Sequence, residues 1–149
     1  MFFIKYLIIG ADHNGFSLKE KLKVFLRKNK VNFVDVGNHK FDRDDDYVDF
    51  ASKAAKLVQH GNRAVLVCGS GIGMCIAANK FRGVYAALAN DVKTAKISRV
   101  HNDSNVLCLG AVSFDKASKI VKAWLDAKFS ESARHRRRIG KIKKIERSS

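Results

Sequence analysis

The sequence contains no proline, so its turns must depend on glycine, asparagine and aspartate. It also lacks any apolar run of the roughly 18 residues that a membrane-spanning helix requires, and we expect no membrane segment. Residues 1–10 are apolar, but they have neither a basic start nor a small-residue cleavage site. This opening therefore favours a first strand over a signal peptide.

Cysteine is scarce, and the three cysteines, Cys68, Cys75 and Cys108, include no C-x-x-C pair. A structural zinc site is therefore not expected. Since no export signal is visible, we expect reduced thiols and a cytoplasmic protein. No cluster of metal ligands stands out either, so the sequence predicts neither a metal nor another cofactor.

Acidic residues are few, with 14 Asp and Glu against 29 Lys and Arg, which gives a formal net charge of +15. The excess is concentrated in residues 131–149 and in the stretch 19–30. Such a balance raises nucleic acid as a partner. The chain has no aromatic-rich binding strand or recognised nucleic-acid motif, however. We interpret the charge mainly as solvated helix faces and a basic tail, and consider a nucleic-acid partner the weaker interpretation.

Hydrophobic residues make up 46% of the chain, which is enough for a core. Short apolar runs predict strands at 4–9, 31–36, 63–68, 84–88 and 105–109. Amphipathic stretches predict helices at 16–29, 47–60, 74–80, 91–100 and 113–128. The alternation predicts an α/β three-layer sandwich, with a five-stranded, mostly parallel sheet between helices and a helical extension at the C-terminus. We expect residues 1–149 to form one domain, with 131–149 as its basic extension.

In such sheets ligands bind at the carboxyl ends of the strands, and the segment Cys68–Gly73 (CGSGIG) follows a strand directly. Its glycines let backbone N–H groups approach an anion closely, and the next helix adds the positive end of its dipole. The segment predicts a binding site for a phosphate or a developing oxyanion, although a turn that binds nothing is the alternative. Cys68 could act there as a base or nucleophile, or could be an inert core residue.

Other candidate residues follow the first strand or lie near the last one. Asp12 could polarise a hydroxyl group, and His13 could hold a phosphate. His101 offers a general acid, with Asn102 as a hydrogen-bonding neighbour.

Arg134 and Arg138 are four residues apart, so on a helix they share a face that could bind phosphate. A solvated basic tail is the alternative. We interpret Cys75 and Cys108 as core residues. We assign no chemical role to the remaining histidines, which lie in polar surroundings. They are His39, His60 and His135.

Taken together, several segments resemble the ribose-5-phosphate isomerase B and galactose-6-phosphate isomerase family over nearly the whole chain. The matching stretches are Gly10–Phe16 (GADHNGF), Asp46-Tyr47, Cys68–Met74 (CGSGIGM) with 76–80 (IAANK), Ser98-Arg99 with 101–103 (HND), 105–107 (NVL), and Arg134-His135 with Arg138. The resemblance implies a Rossmann-like sheet and an aldose–ketose isomerase of the pentose phosphate pathway, with ribose 5-phosphate as substrate. A six-carbon sugar phosphate such as galactose 6-phosphate is one alternative, and a non-catalytic basic module that binds polyanions is another.

The resemblance also implies roles for individual residues. Cys68 matches the base that moves a proton between C1 and C2 through an enediolate. Amides of the loop stabilise that enediolate, and the loop residues are Gly69, Ser70, Gly71, Ile72 and Gly73, with the Ser70 hydroxyl beside the substrate oxygens. His101 matches the acid that opens the sugar ring, and Asp12 assists it.

For the phosphate, the resemblance implies His13, Arg134 and Arg138 as ligands, with Asn102 as a further substrate contact. Members of the family are dimers, often paired as tetramers, and each site is completed by the neighbouring subunit. The resemblance thus implies that the extension 131–149 reaches a partner.

Two features depart from the family's usual pattern. Val112 stands where an arginine often helps to bind substrate, and the segment Tyr47-Val48-Asp49-Phe50 lacks the proline and histidine expected after Asp-Tyr. Some members use a helix glutamate as the base instead of the cysteine, but Met74 occupies that position here. The cysteine version of the mechanism is therefore the one expected.

Overall fold

Five strands alternate with five helices, and a sixth helix follows, along residues 6–149, the part of the chain that the computed structural model describes. The strands are β1 (Leu7–Ala11), β2 (Phe33–Asp35), β3 (Arg63–Val67), β4 (Ala86–Leu88) and β5 (Val106–Leu109). The helices are α1 (Phe16–Lys28), α2 (Tyr47–Val58), α3 (Ile72–Ala78), α4 (Val92–Asn102), α5 (Phe114–Asp126) and α6 (Ala133–Ser148). Residues 4 and 5, where the first strand was predicted to begin, lie outside the described residues.

The strands form one sheet in the order β2-β1-β3-β5-β4, and each pairing is parallel. The predicted α/β architecture is confirmed. Because all the described strands point the same way, their carboxyl ends meet at one edge of the sheet. The register pairs Ala11 with Val67, so the residues that follow these two strands, Asp12 and Cys68, leave the sheet side by side.

Two separate cores fill the space on the two faces of the sheet. Successive residues of a strand point to opposite faces, so Ile9 packs towards α1 and α5 while Ile8 packs towards α2 and α3. Both isoleucines are fully buried. Trp124 of α5, also fully buried, is the largest side chain of the first core. Burial of each such side chain contributes about 1.5–3 kcal/mol.

Side-chain caps fix the starts of the two helices that were predicted to begin at residues 91 and 113. Asp91 accepts a hydrogen bond from the Thr94 N–H at 2.7 Å, and Ser113 accepts one from the Lys116 N–H at 3.3 Å. Several other boundaries differ from the prediction by about two residues, and two of them lie near candidate site residues. Helix α3 already begins at Ile72, and α4 continues through Asn102 instead of ending near Val100.

Helix α6 folds back onto the rest of the chain. Its residues His135 and Ile139 are buried, whereas most of its other side chains are exposed, in line with its polar sequence. Near its end, the Glu146 carboxylate accepts hydrogen bonds from the Gly83 N–H and the Tyr85 hydroxyl. No helix within residues 6–149 combines the length and apolar character that a bilayer crossing requires.

One lysine of the basic stretch 19–30 is buried rather than solvated, contrary to our interpretation of that stretch. Lys19 has no exposed surface, and its ammonium group lies 2.7 Å from the Asp35 carboxylate. It also donates to the carbonyl of Asn38. Burial raises the pKa of Asp35, but hydrogen bonds from Lys19 and Lys23 outweigh it and lower that pKa overall. This ion pair anchors the loop between β2 and α2.

Candidate active site

The glycine-rich turn after β3 has a backbone path that requires glycine at its centre. Gly71 has a φ of +79°, and a Cβ there would lie 2.8 Å from the backbone carbon of Leu109. Gly15 is equally constrained, since a Cβ there would lie 2.3 Å from the Val67 carbonyl oxygen. Close contact at Gly15 brings the turn after β1 against the end of β3.

Cys68 lies at the junction of these two turns and is almost completely buried. Its Sγ accepts a hydrogen bond from the Gly71 N–H at 3.2 Å, so a backbone dipole points at the sulfur. The neighbouring Ser70 hydroxyl oxygen accepts from the Ile72 N–H at 3.2 Å. The thiol thus lies against one amide donor of the turn, an arrangement suited to a developing negative charge.

Asp12 lies beside Cys68 because the backbone N–H of Asp12 pairs with the carbonyl of Val67 at 3.3 Å. Its carboxylate is buried and accepts from the Gly15 N–H at 3.1 Å. Burial raises the pKa of Asp12, and the Gly15 hydrogen bond offsets part of that rise. A carboxyl group with a raised pKa can exchange protons more readily near neutral pH.

His13 is held by a residue that the sequence analysis missed, Asp45. The Nδ1 atom of His13 lies 2.8 Å from Asp45 Oδ1, and the His13 backbone N–H donates to the same oxygen. The side-chain hydrogen bond with Asp45 raises the pKa of His13. Burial raises the pKa of Asp45, but the hydrogen bonds from His13 and Asn38 lower it overall. The Asp45 carboxylate therefore favours the charged form of His13, beside Asp12.

The ligating atoms of Asp12, His13 and Asp45 lie within 4.8 Å of one another, a spacing that could hold a cation. Some of their polar atoms are already engaged, however. His13 and Asp45 hydrogen-bond each other, and Asp12 accepts from Gly15. The hydrogen bond between His13 and Asp45 accounts for the proximity of these two residues without a cation.

His101 and Asn102 lie at the opposite edge of the sheet from Cys68. Helix α4 starts at its cap Asp91, beyond the carboxyl end of β4, and runs back along the sheet. At its far end, the Asn105 N–H donates to the Tyr85 carbonyl just before β4 begins. Within one chain, the structure does not bring His101 or Asn102 to Cys68.

His135 joins His101 at this edge, where its neighbours are polar as expected but the residue itself is buried. The two imidazole rings pack with their centroids 4.4 Å apart, and His135 is buried with its Nδ1 2.6 Å from the Ser130 hydroxyl. Burial and the charges of His101, Arg134 and Arg138 lower the pKa of His135. Both arginines are exposed on α6, which was predicted to be helical. His101, His135 and the two arginines form one cluster.

The cysteines interpreted as core differ from each other. Cys108 is fully buried, whereas Cys75 is only partly buried and donates its thiol proton towards the Ala86 carbonyl at 3.5 Å. A hydrogen bond with Cys108 lowers the pKa of Cys75 to about 7. Met74, at the position of the alternative glutamate base, is buried in the core. Val112 packs partly buried against the other core.

An all-parallel α/β sheet that presents a thiol, a buried carboxylate and a glycine-rich turn at its carboxyl edge is typical of enzymes that act on small polar substrates. Comparison with known proteins identifies the family. The model of the Ribose/Galactose Isomerase family matches residues 7–142. The chain therefore belongs to the Ribose/Galactose Isomerase family.

Individual relatives match along nearly their whole length. A probable ribose-5-phosphate isomerase B from Mycoplasma genitalium is 42% identical over 148 residues, covering 96% of this chain and 97% of that protein. Ribose-5-phosphate isomerase B from Escherichia coli is 40% identical over 147 residues, with coverage of 96% and 97%. The crystal structure of the Mycoplasma genitalium enzyme with bound ribulose-5-phosphate superposes with a TM-score of 0.94 at 40% identity, covering 99% of this chain and 100% of that one.

Proposed function

We propose that this chain interconverts ribose 5-phosphate and ribulose 5-phosphate by moving a proton between C1 and C2 through an enediolate. The observation that carries the proposal is the buried Cys68 thiol beneath the turn at Gly69–Gly73, with a backbone N–H directed at its sulfur. Relatives of similar length are named ribose-5-phosphate isomerase B, and one is solved with ribulose-5-phosphate bound. In this scheme Cys68 is the base.

The amides at the start of α3 supply the stabilisation of the enediolate. The first N–H groups of a helix have no partner within it. The Gly71 N–H points at Cys68, and the Ile72 N–H is engaged by the Ser70 hydroxyl. The N–H groups of Gly73 and Met74 have no acceptor among the described residues, so they are free for a substrate oxygen. Donors fixed in this way stabilise a developing oxyanion without reorganisation.

Ring opening and phosphate binding require the other half of the site. In the proposal His101 protonates the ring oxygen with help from Asp12, and Asn102 contacts the substrate. His13, Arg134 and Arg138 hold the phosphate, to which guanidinium groups are well suited.

Since His101 and Cys68 lie at opposite edges of the sheet in one chain, we propose a homodimer, or a tetramer of dimers, with shared sites. An apolar surface next to the glycine-rich turn supports this arrangement, because Ile72 and Ile76 of α3 are 52% and 58% exposed. A second copy would cover these side chains. Residues 1–149 then act as one domain whose extension 131–149 reaches the partner's site, in a cytoplasmic enzyme.

Replacing the base tests the proposal. Cys68→Ser changes one atom at a buried position, so the fold should be retained while proton transfer fails. We expect kcat to fall by about 10²–10⁴-fold, the usual contribution of a general base. Exchange of the C2 proton with solvent deuterium should fall in parallel, with KM nearly unchanged. Cys75→Ser, one turn into α3, is the matched control and should keep normal turnover; a Cys68→Ser enzyme of normal kcat would rule out the scheme.

A six-carbon sugar phosphate is the second candidate, because Val112 occupies a position where an arginine often binds substrate. Side-by-side assays with ribose 5-phosphate and galactose 6-phosphate distinguish the two. We expect the higher kcat/KM with ribose 5-phosphate. The reverse preference would keep the chemistry but assign the chain to the six-carbon substrate.

A further inference from the structure

A cavity of about 520 Å³ opens at the amino edge of the sheet, where β3 begins and α4 ends. Its volume falls within the roughly 300–1,000 Å³ typical of small-molecule sites. The glycine-rich turn lies at the other end of β3, and a strand of this length spans about 17 Å. The cavity therefore opens at the opposite edge of the sheet from Cys68.

Positive charge dominates the lining of this cavity. Four cationic side chains reach it from a strand, a loop and two helices: Arg63, Arg82, Arg99 and Lys143. The lining contains one carboxylate, that of Asp103, which is 2.8 Å from Arg99. Among residues 6–149, neither Arg63 nor Lys143 has an ion-pair partner. The surplus of cations is thus not neutralised by the described chain.

The neutral polar groups of the lining already have hydrogen-bond partners. The amide of Asn105 donates to the Gly83 carbonyl at 2.8 Å, and the Tyr85 hydroxyl donates to Glu146 at 3.2 Å. That Glu146 carboxylate, just outside the lining, also accepts from the Gly83 N–H at 2.7 Å. The groups left to bind something are therefore the cations.

Arg99 gives the clearest sign of a missing partner. It is 5% exposed, and its Nη1 donates to Asp103 and to the Ser104 carbonyl. Its Nε is buried without a hydrogen-bond acceptor in the described part of the chain and has no surface that a ligand could reach. Its Nη2 makes no hydrogen bond within the described residues, so this atom is the donor left for an acceptor in the cavity.

Arg63 and Arg99 also place two like charges on one aromatic ring. Their guanidinium carbons lie 5.8 and 6.0 Å from the ring of Trp124. Burial and the charge of Arg99 lower the pKa of Arg63 to about 10. Asp103 pairs with Arg99 but not with Arg63, so an anion bound near both guanidinium groups would reduce their repulsion further. Their planar donors match phosphate oxygens.

We propose that this cavity binds the phosphate group of a small metabolite, held by Arg63 and Arg99, with Lys143 contacting it from the rim. The cavity lies at the same edge of the sheet as His101, but its lining includes none of the residues that the isomerase scheme uses. The site can therefore be tested separately from that scheme.

Nuclear magnetic resonance on the full chain tests the site directly. Inorganic phosphate is titrated into ¹⁵N-arginine-labelled protein at constant ionic strength, and the side-chain Nε–Hε signals are followed. We expect saturable shifts for Arg63 and Arg99. Glycerol 3-phosphate, titrated in parallel, distinguishes an esterified from a free phosphate: tighter binding of the ester assigns the site to a phosphate ester, and the reverse order to free phosphate.

Variants separate this site from other anion-binding surfaces. Arg63→Met keeps an apolar stem over Trp124 and should weaken phosphate binding about tenfold or more. Lys143→Met, an exposed change that leaves the core intact, should weaken it by a smaller factor, roughly threefold. Lys144→Met, the next residue of α6 and outside the lining, is the matched control and should have no effect.

The Arg138→Ala variant, altered in the proposed substrate-phosphate cluster, should retain the Arg63 and Arg99 shifts. Loss of those shifts in Arg138→Ala but not in Lys143→Met would overturn the proposal, because the anion would then bind at the catalytic cluster. Equal weakening by Lys143→Met and Lys144→Met would also overturn it, by reducing the effect to diffuse attraction. Absence of saturable Arg63 and Arg99 shifts in the unmodified chain would overturn the proposal as well.

Discussion

The hydrogen bond between His13 and Asp45 makes a specific prediction about pH. Asp45 raises the pKa of His13, so the imidazolium charge is fully present at low pH and is lost only as the pH rises through that raised value. Asp45→Asn removes the carboxylate, and His13 should then lose its charge at a lower pH. If His13 binds the substrate phosphate as proposed, the variant should bind substrate more weakly between the two pKa values.

The size of the effect follows from the geometry. One charge-assisted contact is at stake, and the imidazole is partly open to solvent, with 27% of its side chain exposed. We therefore expect KM to rise roughly threefold to tenfold, less than for a fully buried pair. The ratio of variant to unmodified KM should peak between the two pKa values. It should return towards one well below both pKa values, where both imidazoles are charged, and well above both, where neither is.

The measurement is KM for ribose 5-phosphate across this pH range, with the His13 pKa followed by NMR in both proteins. Asp44→Asn removes a neighbouring, exposed charge from the same loop and serves as the matched control. A KM ratio that stays constant with pH, although the His13 pKa falls, would refute a role for the His13 charge in binding.

Three further changes address stability and the phosphate cluster. Asp35→Asn should lower the free energy of unfolding by about 3 kcal/mol, because it leaves the buried Lys19 without its main ion-pair partner. This is the lower end of the usual cost of breaking a buried ion pair, since Glu20 remains 3.4 Å from that lysine. Gly71→Ala should cost about 1–3 kcal/mol and reduce turnover, because it combines a positive φ with a backbone clash. Arg138→Ala should raise KM for the sugar phosphate about tenfold with kcat little changed.

Each of these changes has a matched comparison. Lys23→Met leaves Lys19 paired with Asp35, so urea unfolding should show a smaller loss than for Asp35→Asn. Gly61→Ala also introduces a side chain at positive φ but into open space, and should be the milder of the two glycine changes. For Arg138, the comparison is Lys144→Ala. An equal, graded loss of RNA binding in both variants with unchanged KM would favour a polyanion-binding module over a phosphate contact.

Local sequence patterns predicted most of the fold, because strands, helix caps and glycine turns are encoded by neighbouring residues. Asp91 and Ser113 cap their helices through contacts only three residues away. The turn at Gly69–Gly73 was likewise placed correctly after β3. Its exact end was not, since α3 begins inside the motif at Ile72.

Local sequence patterns could not predict contacts between segments that are distant in the sequence. Lys19 is buried because Asp35, on a neighbouring strand, compensates its charge, and nothing in the basic stretch itself signals this. His135 looked solvated among arginines, yet it packs on His101 across 34 positions of the sequence. Asp45 lies in an acidic loop where any of several carboxylates could have reached His13. In each case a partner brought close by the fold decides the environment.

The placement of Cys68 and His101 at opposite edges of the sheet would also decide whether two defective versions of the chain can complement each other. In a cell that makes two damaged versions of this chain, one altered at Cys68 and the other at His101, each proposed mixed dimer would contain one intact site and one doubly damaged site. Random pairing would then restore about one quarter of the normal number of sites. Two versions that are both altered at Cys68 would restore none, so recovery would depend on where the two lesions lie.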